Sequence, residues 1–166
     1  MKGLLVLALT ALGSLAAQRV DAEVYGGIGV GRSEYAVSKN SDTSFSIFAA
    51  IRLTNRIMLE GGPVYPGRAL VSEPSTIGFS IQAVGLFPVG ERTEFLAKAG
   101  FYDWEVQRET VNFDDGRDPL LGIGLQRYID DDLALRIEFN RFADVRGGNL
   151  DLISFGVVRW FRGLAN

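Results

Sequence analysis

The sequence predicts an all-β fold, an eight-stranded antiparallel up-and-down transmembrane β-barrel. Three observations carry that expectation. Apolar residues alternate with small or polar ones along almost the whole chain after residue 22, the pattern of strands with two unlike faces. No apolar run in that stretch approaches the roughly 20 residues that a membrane helix needs. The connections between alternating segments switch between short and long, as they do on the two rims of a membrane barrel.

The first strand is expected at Val24–Tyr35. In the second, Phe45, Ile47, Ala49, Ile51 and Leu53 share one face, and Ser44, Ser46, Phe48, Ala50 and Arg52 share the other. The third sets Ile57, Leu59, Gly61, Pro63 and Tyr65 against Met58, Glu60, Gly62 and Val64. The fourth sets Ile77, Phe79, Ile81 and Ala83 against Gly78, Ser80, Gln82 and Val84. The fifth sets Phe95, Ala97, Ala99 and Phe101 against Leu96, Lys98, Gly100 and Tyr102. In the sixth, Leu121, Ile123 and Leu125 alternate with Gly122, Gly124 and Gln126. The seventh opposes Leu133, Leu135, Ile137 and Phe139 to Ala134, Arg136, Glu138 and Asn140. The last opposes Ile153, Phe155 and Val157 to Ser154, Gly156 and Val158. Short turns are expected at residues 54–56, 88–92 and 130–132, and longer polar loops at 36–42, 66–75, 106–118 and 144–148. A three-residue first turn sets Leu53 opposite Ile57 and keeps both on the apolar face.

The second face is poor in bulk. Gly27, Gly29, Gly31, Gly78, Gly100, Gly122, Gly124 and Gly156 fall on it, with four serines. The interior of an eight-stranded barrel is only just wide enough for side chains to fill, so this face is expected to point inward and the apolar one toward lipid. The mid-strand charges Arg52, Glu60, Lys98, Arg136 and Glu138 share the glycine-rich face. They are the candidate site residues, a charge network plugging a narrow polar lumen. A secreted lipocalin-like barrel would carry its apolar face inside and its charges outside; the placement of these five charges favours the membrane barrel.

Composition removes several function classes. With no His among its 166 residues, the chain has no Ser-His-Asp catalysis and no histidine metal site. With no Cys it has no disulfide, thiolate site or lipidated N-terminal cysteine. The net charge of −3, without a basic stripe, argues against nucleic acid as a partner. Residues 26–31 do not complete a dinucleotide fingerprint, because Arg32 follows and no helix pattern begins there. Residues 114–118 lack the spacing and closing Glu of a calcium loop. Glu60 and Glu138 sit among basic residues, so charge neutralisation is a simpler reading than hydrolysis by paired carboxylates. No enzyme activity, cofactor or metal is expected. At the N-terminus, Lys2, the apolar residues 4–12 and the small residues around Ala22 read as a secretory signal. The expected division is a signal peptide at 1–22, cleaved after Ala22 with Ala16 or Ala17 as the next choice, and a barrel domain at 23–166.

Several stretches, in order and spacing, resemble the transmembrane barrel domain of the outer membrane protein A family. They are residues 49–53 with 59–62, 87–90 with 95–100, 118–125, 135–139 and 150–161, covering nearly all of 23–161. The resemblance implies a location in the outer membrane of a Gram-negative cell. It implies contact with outer-membrane lipids and lipopolysaccharide, and insertion by the barrel assembly machinery through the C-terminal strand. A role in envelope structure or surface interaction follows, with a small-solute or ion-conducting pore as the alternative; a monomer is expected, and no loop motif names a surface ligand. The family's peptidoglycan-binding domain has no counterpart before the last residue, Asn166. The resemblance also matches Glu60 and Arg136 to an acid–base couple inside the barrel, and places a second couple at Val84 and Gln126, both uncharged here. Arg127 and Arg159 stand where family strands often carry aromatics, facing outward near the short-turn rim.

Overall fold

The computed structural model describes residues 23–36, 38–68, 76–106, 115–145 and 147–161. The expected signal at 1–22 lies outside them. Eight strands, β1 (Val24–Tyr35), β2 (Ser41–Thr54), β3 (Ile57–Gly67), β4 (Thr76–Gly90), β5 (Thr93–Val106), β6 (Asp115–Tyr128), β7 (Leu133–Val145) and β8 (Gly148–Phe161), follow one another around a closed barrel. Each pairs antiparallel with its sequence neighbour, and β1 closes on β8 from Val24↔Phe161 to Tyr35↔Leu150. Closure leaves no strand edge for lipid to face, and an unpaired edge there would cost several kcal/mol per exposed backbone group.

The alternation in sequence becomes two faces. Outward stand Ile28, Phe45, Ile47, Leu121, Ile137 and Ile153, each exposed. Inward stand Tyr25, Met58, Glu60, Lys98, Arg136 and Leu150, each buried. The glycines on the inner face make room for larger neighbours. A Cβ on Gly27 would run into the ring of Phe48, which lies across it from β2.

The first of the expected short turns differs in detail. Ile51 pairs with Leu59 and Arg52 with Met58, the register of a three-residue first turn, but a bulge at Leu53 lets Thr54 pair with Ile57. The tip is therefore the two residues Asn55 and Arg56, capped by the Arg56 amide donating to Thr54 Oγ1 at 3.2 Å. At the third short turn, Asp130 Oδ1 accepts the amides of Asp132 (2.8 Å) and Leu133 (2.7 Å), a side-chain turn of the kind Asp favours.

The largest difference lies at the opposite rim. Residues 115–118, expected in a loop, belong to β6 and pair with β5 from Tyr102↔Asp118 to Glu105↔Asp115. Residues 144–148, also expected as a loop, shrink to a tight link, because β7 and β8 pair out to Val145↔Gly148. Asp144 (φ 60°) and Gly147 (φ 79°) take the left-handed conformations this link demands. The strands run on because their inward residues Trp104, Phe142, Val145 and Leu150 pack together. Their outward residues meanwhile form ion pairs between Arg117 and Asp103 (2.7 Å) and between Arg141 and Asp151 (2.7 Å).

Candidate functional site

The interior has three layers along the barrel axis. Toward the short-turn rim, Tyr25, Met58, Val84, Leu86, Leu96 and Trp160 form an apolar cluster with Ala50, Ala134 and Val158. Tyr25 stacks on Trp160 with ring centroids 5.0 Å apart. Toward the other rim, Tyr35, Tyr102, Trp104, Leu120, Phe142 and Leu150 form a second apolar cluster. The Tyr102 and Phe142 rings lie 4.7 Å apart. The buried charges lie between the two.

Glu60 is the hub of the charged layer. Its Oε1 accepts from Lys98 Nζ at 2.7 Å and Gln82 Nε2 at 2.6 Å. Its Oε2 accepts from Arg136 Nη1 at 2.6 Å and the Tyr25 hydroxyl at 3.0 Å. A buried carboxylate is tolerated only when paired and hydrogen-bonded, and this one has four donors from four strands. Glu138 Oε1 takes Lys98 Nζ at 2.5 Å and Arg136 Nη1 at 3.3 Å. Two acids and two bases thus balance in charge. Arg136 Nε donates to Gln126 Oε1 at 2.9 Å. Its guanidinium also lies over Phe48, with Cζ 4.8 Å from the ring centroid, a cation–π contact.

Of the five sequence candidates, the structure brings Glu60, Lys98, Arg136 and Glu138 together and leaves Arg52 apart. Arg52 lies on the same inward face of β2, but its ladder partner is Met58, so the short-turn apolar cluster separates it from Glu60. It pairs instead with Glu23 at 3.3 Å and reaches the Tyr128 hydroxyl at 3.5 Å, with 23% of its side chain exposed. A long cation nearest the rim reaches water more cheaply than it reaches a buried acid. Of the second couple, Gln126 holds Arg136 in place, while Val84 belongs to the apolar cluster.

Sequence reasoning missed Gln82, Tyr25 and Phe48 as parts of the cluster. Gln82 was legible in principle, since it is the direct β4 neighbour of Glu60. Tyr25 and Phe48 reach the charges across the lumen, which strand alternation does not show. Several buried polar atoms beside the cluster have no protein partner, among them Ser44 Oγ, Gln82 Oε1, Arg136 Nη2 and Asn140 Oδ1. Among the described residues no group of three or more acids gathers as a metal site.

Comparison with known proteins agrees with this architecture. The N-terminal β-barrel domain of Pseudomonas aeruginosa OprF superposes with a TM-score of 0.64 at 14% identity, over 84% of this chain and 99% of that one. Neisserial surface protein A gives 0.60 at 14% identity, over 86% and 98%. Ail, the attachment invasion locus protein of Yersinia pestis, gives 0.59 at 12% identity, over 84% and 97%. At these identities the likeness is one of fold. No curated protein matches the sequence. A family match does extend over residues 4–161, most of the chain, and on it the chain belongs to the outer membrane protein beta-barrel domain family and is a non-catalytic transmembrane barrel of the outer membrane.

Proposed function

We propose that this protein is a closed barrel serving envelope structure or surface interaction, with its lumen plugged by the Glu60, Lys98, Arg136 and Glu138 cluster. The observation that carries this reading is the position of the cluster between two apolar layers. An ion entering from either rim would shed its hydration among Leu, Met and aromatic side chains before meeting a charge-balanced group with little to offer it. The pore reading has one observation in its favour, the buried polar atoms Ser44 Oγ and Asn140 Oδ1 without a protein partner, but apolar clusters lie on both sides of the charged layer. Planar-bilayer recording tests the proposal. The expected result is no stable conductance, and large steady currents from the wild-type barrel would overturn the plug.

The short-turn rim is assigned to the periplasm, as in other outer-membrane barrels, and the protein is proposed to act as a monomer within a lipopolysaccharide-bearing membrane. β8 is proposed as the strand engaged by the assembly machinery. Residues 1–22 are proposed as a cleaved signal. Sequencing the N-terminus of membrane-extracted protein should read Glu23 first, and an intact Met1 would remove the signal.

A further inference from the structure

We propose a redox role for the interior near the short turns: stacked aromatic rings carry a one-electron hole from Trp160, inside the lumen, to Tyr128 at the rim. The chain has two tryptophans. Trp104 lies in the upper cluster and Trp160 in the cluster near the short turns. Two tyrosines touch Trp160. The Tyr25 ring stacks on it, with centroids 5.0 Å apart and planes 28° apart. The Tyr128 ring lies 5.1 Å from it at 42°. Rings this close exchange an electron without moving. Apolar packing accounts for the rings but not for the hydroxyls, each of which donates to a carboxylate. Tyr25 donates to Glu60 Oε2 at 3.0 Å and Tyr128 to Glu94 Oε2 at 2.9 Å. A phenol gives up an electron readily when its proton can leave at the same moment, and a carboxylate within hydrogen-bond reach is the base that takes it.

The two carboxylates are unequal bases, and that sets the direction. Glu60 already holds four donors, two of them the cations Lys98 and Arg136, so a proton from Tyr25 would have to displace one of these. Arg136 Cζ also lies 5.5 Å from the Tyr25 ring centroid, and its charge opposes a hole on that ring. Glu94 is less engaged. Besides Tyr128, its donor among the described residues is Gln126 Nε2, at a long 3.4 Å. Arg52 Nη2 reaches the Tyr128 hydroxyl at the equally long 3.5 Å. Tyr128 is therefore the end of the path. It is half-buried at the last residue of β6, where solutes from the short-turn side reach it.

The step balances as follows. A diffusible one-electron oxidant, such as the carbonate radical anion, takes one electron from the Trp160 indole and becomes carbonate. The indole radical cation takes one electron from the Tyr128 ring as the phenolic proton moves to Glu94 Oε2. Trp160 is restored, and Tyr128 is left as a neutral radical beside a protonated Glu94. A soluble thiolate then supplies one electron, the proton returns from Glu94, and a thiyl radical diffuses away. Without this exit the hole stays on Trp160 and is trapped as an oxygenated indole. A polar product there, or a sulfoxide at Met58 in the same cluster, would lodge in an apolar layer. The inference rests on ring and hydrogen-bond geometry and stands whether or not the lumen conducts.

The test uses the whole barrel in phosphatidylcholine nanodiscs, oxidised by a photo-oxidised ruthenium polypyridyl complex. Transient absorption follows the radical, and mass spectrometry compares oxygenated Trp160 with oxygenated Trp104 in the same molecules. In the wild-type barrel an indole radical should give way to a tyrosyl radical that glutathione quenches. Tyr128→Phe keeps the ring and removes the proton, so it should abolish most of the tyrosyl signal and raise the Trp160-to-Trp104 product ratio several-fold. Glu94→Gln keeps a partner for the hydroxyl but removes the base, so it should slow the transfer and raise the ratio in the same direction. The ratio cancels any general loosening of the barrel, which would expose Trp104 as well. An unchanged ratio in both variants would overturn the transfer to Tyr128. A tyrosyl signal undiminished in Tyr128→Phe would place the hole on Tyr25 and overturn the direction.

Discussion

The stretch of barrel inside the membrane and the stretch that rises above it use the same strands with opposite side-chain logic. On β7, Ile137 and Phe139 face outward and Arg136 and Glu138 inward; one step higher, Arg141 faces outward and Phe142 inward. On β5 the outward face changes from Phe101 to Asp103, while the inward face changes from Lys98 to Tyr102 and Trp104. β8 repeats the change, from Ile153 out and Ser154 in to Asp151 out and Leu152 in. Backbone geometry does not change at this boundary; the solvent does. Where lipid surrounds the barrel, apolar residues gain little by turning inward, so the interior is free to hold small residues and charges. Where water surrounds it, the hydrophobic effect drives the aromatics inside and leaves charge pairs outside. The upper segment is thus organised like the water-soluble barrel that the sequence as a whole argues against. The short-turn end is a third case, apolar both within, at Leu86 and Leu96, and without, at Phe87 and Phe95.

If the two regions are stabilised by different forces, the most costly single change should be one that unbalances the buried charges. Arg136→Ala removes two of the contacts that neutralise Glu60 and Glu138 and should destabilise by about 3–5 kcal/mol in a urea titration of the reconstituted barrel. Glu60→Gln combined with Arg136→Leu should cost less than the sum of the two single changes, because each single change strands a charge that the double change removes. Strict additivity would show that the two residues do not interact.

In the upper segment the corresponding change is to a packed apolar side chain. Leu150 is fully buried beside Phe142 and Val145, and Leu150→Ala should cost about 2–5 kcal/mol through lost burial and a cavity. An effect below 1 kcal/mol would mean that the upper cluster is not a packed core. The outer face then separates lipid from water directly. Ile137→Arg places a charge in the lipid belt and should cost about 2–4 kcal/mol, and Ile47→Arg should do the same. Negligible losses at both positions would mean that the outward face is not in lipid.

These regions were not equally legible in sequence. Inside the membrane both faces of a strand have a constant character, so parity alone placed Glu60, Lys98, Arg136 and Glu138 on one side. Above the belt the two faces exchange character within a residue or two. Asp115 and Arg117 then read as loop, although each is an outward strand position, paired with Glu105 and Asp103. Parity also says nothing of height along the axis, which depends on how far each strand is staggered against the next. That is why Arg52, correctly placed on the inner face, was wrongly grouped with Glu60, and why Gln82, one ladder step away from Glu60, was passed over. Phe48 was hidden for another reason. Its partner Arg136 lies across the lumen, and the space its ring occupies is signalled only by the absence of a side chain at Gly27.

The smallest expected effect makes the sharpest comparison, because it sets an arginine in water against the same residue in the lumen. Arg141 makes two parallel hydrogen bonds to Asp151, from Nε and Nη2, each 2.7 Å long. The geometry is as good as that of Arg136 on Glu60, where Nη1 lies 2.6 Å from Oε2. Geometry alone would therefore give the two pairs equal weight. Their surroundings differ: half of the Arg141 side chain is exposed, while 1% of that of Arg136 is. In water the attraction is weak, the fixed side chains lose rotamer freedom, and salt screens what remains. Arg141→Ala should accordingly cost far less than Arg136→Ala, and the loss should shrink further between low and high salt, whereas the loss in Arg136→Ala should barely respond to salt. Similar losses at the two positions, with similar salt dependence, would mean that the lumen around Arg136 is as wet as the rim and that the layered interior does not exclude water.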